Sequence, residues 1–129
     1  MEIFGNPSAN NYHALSPNKA VLKARGQVAS FIKCSEEQLL FNSGATEGIN
    51  HVLKSLFFSS IQEGKNHLVL SSIEHSAVIE TAKYLSSLGC ELTYLKVNRD
   101  GVIDLKQLND ALTAKTFLVC TMLVNNETG

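Results

Sequence analysis

Short apolar runs alternate with stretches of helical periodicity along most of this chain, and that alternation leaves few folds open to it. Leu39-Leu40-Phe41, Leu68-Val69-Leu70 within His67 to Ser72, the alternating stretch Glu91 to Val97, and the strongly apolar Phe117 to Val124 predict four strands. Between them, Ile49, Val52, Leu53, Leu56 and Phe57 mark the inner face of one helix. Ser76 to Leu88 gives a second, ended by Gly89, and Asp104 caps a third running to about Leu112. Ahead of all these, Ala20, Val21, Ala24, Val28, Phe31 and Ile32 recur at helical spacing from Asn18 to Lys33, with Ser16 as cap and Pro17 in the first turn. The order β-α-β-α-β-α-β predicts an α/β fold of three layers: a mostly parallel sheet, right-handed crossovers and helices on both faces. A chain of 129 residues that is 44% hydrophobic is large enough to build it as one domain.

Charge narrows the partners. A formal charge of -1, a pI near 6.4 and 18% charged residues supply no basic stripe, so neither nucleic acid nor an anionic membrane surface is expected. No apolar run approaches the roughly 20 residues that cross a bilayer, and the start lacks a charged region followed by a hydrophobic segment, so a cytoplasmic location is expected. Cys34, Cys90 and Cys120 are odd in number and widely spaced, and they read as reduced thiols packed as small hydrophobes. Neither they nor His13, His51, His67 and His75 have ligand spacing, so no metal is expected.

Three loops each follow a strand pattern, and strand ends are where open α/β sheets bind ligands. In Ser43-Gly44-Ala45-Thr46-Glu47, Gly44 permits a tight turn, and the amides of Ala45, Thr46 and Glu47 open a helix whose positive end favours a phosphate. The other reading is a simple cap by Ser43 or Thr46, with Glu47 supporting the first turn. In Glu74-His75, the imidazole stands at a strand-to-helix junction, where it can face a bound ring and exchange protons, or serve as a surface or capping residue. In Asn125-Asn126-Glu127-Thr128-Gly129, the amides offer donors and acceptors at the same sheet edge, or the segment is a plain turn.

Taken in order, these segments resemble the cysteine desulfurases and their relatives in class V of the aminotransferase group, which use pyridoxal 5′-phosphate. The resemblance begins at Phe4-Gly5-Asn6-Pro7-Ser8 and continues through Phe41-Asn42-Ser43-Gly44-Ala45-Thr46-Glu47 and Glu74-His75-Ser76-Ala77-Val78. It then runs through Leu92-Thr93-Tyr94-Leu95 and Asp100-Gly101-Val102-Ile103-Asp104 to Asn125-Asn126-Glu127-Thr128-Gly129. It departs at Gly48 and Thr128, and His13 lies two positions beyond where the family commonly has a histidine.

What the resemblance implies is a partial large domain of a type I pyridoxal phosphate-dependent transferase. Ala45 and Thr46 would hold the cofactor phosphate, His75 would stack on the pyridine ring and assist proton transfer as the catalytic residue, and Asn126 would contact cofactor or substrate. The implied reaction converts L-cysteine to L-alanine with persulfide sulfur passed to acceptor proteins, as in iron-sulfur cluster supply, within a homodimer. The lysine that holds the cofactor covalently, the aspartate at its ring nitrogen and the cysteine that carries sulfur are expected beyond Asn126; all nine lysines precede Asn125. The chain alone is therefore expected to be inactive and to self-associate through uncovered apolar surface, with a small-domain segment missing before Phe4. The alternatives are another class V enzyme, a selenocysteine lyase or an aminotransferase, and a noncatalytic phosphate-binding module.

Overall fold

The computed structural model describes residues 3–129, which divide into two compact units, the first ending at Phe41 and the second running over Asn42–Gly129. The first unit is built on helix α1 (Leu15–Ile32), which stops where Lys33 turns left-handed at φ 58°. The helix starts one residue ahead of Ser16, with Ala14 as its cap, so Ser16 is not the cap the sequence suggested, although Pro17 does lie in the first turn.

Leu39–Phe41 is the clearest departure from the sequence reading, for it joins no strand. A run of three apolar residues carries little pairing information, and here its groups go elsewhere. The Arg25 guanidinium donates to the carbonyls of Glu36 and Leu39 and lies 5.0 Å from the centre of the Phe41 ring.

The second unit holds the sheet. Helix α2 (Ala45–Ser60) leads to strand β1 (His67–Ser71), helix α3 (Ser76–Ser87), strand β2 (Glu91–Leu95), helix α4 (Leu105–Ala111) and strand β3 (Thr116–Cys120). The strand order is β2-β1-β3 and both pairings are parallel, so the sheet has three strands instead of four. β1 is buried along its whole length because it is central, which is why its sequence is an unbroken apolar run between His67 and Ser71.

One continuous core joins α2 and α3 to the sheet. Leu53 and Phe57 of α2, Val78, Ala82 and Leu85 of α3, and Leu68 and Leu70 of β1 form it together with Cys90. Phe57 is 1% exposed and meets Phe117 of β3 with ring centres 6.0 Å apart. Val52 and Leu56, which helical spacing put on the inner face, are 50% and 39% exposed; the buried stripe is narrower than the apolar one. At the amino-terminal end of the strands the His67 ring spans the sheet, its Nδ1 2.8 Å from Thr116 Oγ1 and its Nε2 2.8 Å from Thr93 Oγ1.

The strands are also shorter than their apolar runs. β2 ends at Leu95, after which Val97 bridges Ile103 across the turn at Asn98-Arg99-Asp100-Gly101. β3 ends at Cys120, beyond which Leu123 and Val124 stand 99% and 66% exposed.

Candidate functional site

All three loops lie in the second unit, at the carboxyl ends of its strands or at the start of α2. At the first loop the cap position of α2 falls on Gly44, which has no side chain to bond the helix amides. Its φ of 154° is a conformation close to glycine-only, and a Cβ there would meet nothing within 4 Å, so backbone geometry and not space demands the glycine. The Gly44 amide is itself used, donating to Asn42 Oδ1 at 2.9 Å.

Ser43, the residue that could have capped the helix, is turned to another purpose. Its amide and its hydroxyl both donate to Glu47 Oε2, at 2.7 and 2.5 Å. Those two bonds, the hydroxyl's first, hold the Glu47 carboxyl below its ordinary range. The first intrahelical bond runs from the Gly48 amide to the Gly44 carbonyl, so the amides of Ala45, Thr46 and Glu47 have no helix partner, and no side chain among the described residues caps them. Three outward donors at the positive end of a 16-residue helix, with the exposed Thr46 beside them, fit a phosphate group. Neither Ser43 nor Thr46 caps the helix, while Glu47 does support its first turn by holding Ser43.

At the second loop, the capping reading holds. The Ala77 amide donates to His75 Nδ1 at 3.1 Å, which makes His75 the cap of α3. Because Nδ1 accepts, the neutral ring carries its proton on Nε2, which is left to face solvent or a ligand. His75 stands in both of the concavities that flank it. One, of about 350 Å³, has Thr46, Asn50, His75, Thr81 and Tyr84 in its wall; the other, of about 600 Å³, has Glu74, His75, Arg99, Asn126 and Gly129. Both volumes fall within the roughly 300–1,000 Å³ of small-molecule sites. Thr46 and Asn126, chosen from sequence, each line a concavity that His75 also lines, with Ala45 beside Thr46 on the helix end.

Two residues in these loops have a part that sequence reading did not give them. Glu74 Oε1 accepts from Ser71 Oγ at 2.6 Å and from the Met122 amide at 2.8 Å, so it ties the end of β1 to the chain leaving β3. Asn125 Nδ2 donates to the Ile73 carbonyl at 3.0 Å, while its Oδ1 accepts from the Glu127 and Thr128 amides at 2.8 and 3.0 Å. The signal available was only that a carboxylate and an amide each preceded a chosen residue.

The cysteines take the buried or half-buried positions expected of them, and none is in a disulfide. Burial pushes the Cys90 thiol up to about 11 and raises that of Cys120 as well. Among the described residues no group of histidines, cysteines and carboxylates is arranged to hold a metal ion, and no helix is long and apolar enough to cross a membrane.

A three-stranded parallel sheet with an uncapped helix end, an imidazole and an amide around its strand ends defines an α/β domain of the kind whose ligands bind at the strand ends. The sequence model of the family "Aminotransferase class-V" matches residues 1–129, and the chain belongs to that family. It is 42% identical over 128 residues to "Cysteine desulfurase 2" of Trichormus variabilis, covering 99% of this chain and 32% of that protein. It is 40% identical over 130 residues to "Cysteine desulfurase, mitochondrial" of Saccharomyces cerevisiae, covering 98% of this chain and 26% of that protein. Among solved structures, a NifS-like protein superimposes with a TM-score of 0.93 at 38% identity, over 99% of this chain and 35% of that one. A structure described as "SspA in complex with cysteine" gives 0.87 at 37% identity, over 97% and 36%. The chain spans about a third of the length of the curated relatives it matches.

Proposed function

We propose that this chain forms the cofactor-phosphate and ring-facing walls of a pyridoxal 5′-phosphate-dependent cysteine desulfurase, as part of its large domain. The supporting observation is that Thr46, at the helix end whose first amides are free, lines one concavity with the exposed His75, while His75 and Asn126 line the adjoining one. The reaction is L-cysteine to L-alanine, with the sulfur handed to an acceptor protein as in iron-sulfur cluster supply; the names of the relatives support the substrate. When bound, the cofactor supplies an electron sink that lets the bond between cysteine Cβ and sulfur break.

This chain's own residues bind and orient. The helix-end amides and the Thr46 hydroxyl take the phosphate, and the exposed His75 ring gives the pyridine a face to stack on. Nε2 of His75 holds the proton to be moved, since Nδ1 is occupied as the helix cap. Asn126 supplies an amide to the cofactor or the substrate. We assign neither the covalent lysine nor the sulfur-carrying cysteine to any of these residues, because Cys90 and Cys120 have thiol pKa values raised by burial and Cys34 is half-buried just after α1. The isolated chain then binds the cofactor without turning over cysteine. Self-association is part of the proposal, supported by Val52, Leu56 and Phe58 on the exposed side of α2, as is a cytoplasmic location.

The test is titration of the chain with pyridoxal 5′-phosphate and, separately, inorganic phosphate, followed by amide NMR. Shifts at Ala45, Thr46 and Glu47 with both ligands, and at the His75 ring and the Asn126 side chain with pyridoxal 5′-phosphate only, are the expected result. No response at either helix end or imidazole would overturn the reading.

A further inference from the structure

We propose that Glu74 and Asn125 act together as a clamp that sets the spacing between His75 and Asn126, and so positions the two walls that face the cofactor ring; this rests on the cofactor reading above. Each clamp residue immediately precedes a wall residue in the chain, so the bond that fixes the first carries the second with it. The bonds are long-range. Met122 N–H to Glu74 joins residues 48 apart, and Asn125 to the Ile73 carbonyl joins residues 52 apart.

The segment after β3 has little else to hold it. Its ladder pairing with β1 ends at Leu70 opposite Cys120, and Leu123 and Val124 are too exposed to anchor it by packing. Its other hydrogen bonds among the described residues are internal: Gly129 N–H donates to the Asn125 carbonyl at 2.9 Å, Glu127 and Thr128 donate to Asn125 Oδ1, and Asn125 Nδ2 also donates to Met122 Sδ at 3.2 Å. Asn125 therefore does two things, shaping the turn that presents Asn126 through Oδ1 and fastening that turn beside His75 through Nδ2. Glu74 is a half-buried carboxylate, and no salt bridge among the described residues includes it. Its hydrogen bonds go to the Ser71 hydroxyl and the Met122 amide, so the group serves as an acceptor at a fixed place.

Two substitutions test the clamp with opposite changes in charge. Asn125→Asp keeps the acceptor that shapes the turn and removes the donor to Ile73, adding a negative charge; Glu74→Leu removes the acceptor and a negative charge. In both, affinity for pyridoxal 5′-phosphate should fall about tenfold while affinity for inorganic phosphate, read at the Thr46 amide, stays within about twofold. Addition of pyridoxal 5′-phosphate should no longer shift the Asn126 side chain. Glu74→Gln, which retains a carbonyl acceptor for Met122, should restore the wild-type ratio. If both disruptive variants kept the wild-type ratio of the two affinities and the Asn126 response, the clamp would be refuted with the cofactor reading intact. If pyridoxal 5′-phosphate moved neither His75 nor Asn126 in the unaltered chain, the cofactor reading would fall and the clamp's role with it.

Discussion

Replacing Gly44 by alanine separates the backbone demand of the proposed anion site from any demand for space. The glycine sits at φ 154° and ψ 176°, a region that residues with a Cβ occupy at a cost of about 1–3 kcal/mol. A Cβ would meet no atom within 4 Å, so clash adds nothing and the whole effect is conformational. The substituted loop has two ways out. If it keeps its shape, the strain lowers stability by about 1–3 kcal/mol, and a urea midpoint falls by roughly 1 M. If the backbone relaxes instead, the amides of Ala45 and Thr46 swing away from a common point. Hydrogen bonds to a charged group are worth about 1.5–3 kcal/mol, so losing one weakens phosphate binding by roughly tenfold or more.

Gly64 is the control, left-handed at φ 75° with equally open surroundings, and it lies beyond the opposite end of α2, about 24 Å along the helix axis. Gly64→Ala should cost about 1 kcal/mol of stability and leave phosphate affinity unchanged. Urea unfolding and phosphate titration on the two variants decide the matter. Should Gly44→Ala leave both the midpoint and the affinity at wild-type values, the assignment of this turn as a strained anion cradle is wrong.

His75→Asn retains an oxygen that can cap α3 and removes the ring, so it should keep native stability and lose the cofactor response, whereas His75→Ala should lose about 1 kcal/mol as well; thermal unfolding beside titration separates the two. Phe57→Ala, at the 1% exposed centre of the core, should destabilise the second unit by about 3–5 kcal/mol in urea unfolding without altering the order of the loops. Cys90, 3% exposed, keeps its proton in the folded state up to about 11, against 9.0 when unperturbed, so its contribution is complete below about pH 9 and is lost as pH rises toward 11. Unfolding followed from about pH 8 to 11 should show a decline of at most about 3 kcal/mol that Cys90→Ala flattens.

The class of fold was legible because burial on both faces leaves a plain mark on a central parallel strand. His67–Ser71 reads as a strand from its own residues, and so does the helix after it, which stops where Gly89 follows at φ 97°. Leu39–Phe41 misled because three apolar residues do not distinguish a strand from a segment fastened by a neighbouring arginine. The exposed tail of the Phe117–Val124 run misled for a related reason. Hydrophobicity continues to Val124, but the ladder stops at Cys120, where the next free amide, that of Met122, is taken by a carboxylate 48 residues upstream. No local pattern carries a bond of that range.

That same bond explains why the site was legible only in part. Residues that present a group to a ligand announce themselves by type: an imidazole, an amide and a glycine before a helix suggest chemistry wherever they stand. Residues that hold those groups in place do so through partners that are distant in sequence, and their identity is fixed by what they reach. Glu74 and Asn125 stood beside His75 and Asn126 in the chain, yet their roles depended on the Met122 amide and the Ile73 carbonyl being within 3.0 Å. The Glu-His and Asn-Asn pairs are each a division of labour, one residue bonded to the opposite loop and its successor left free of that loop. Of these pairs, the free member can be read from sequence, and the bonded one only from the fold.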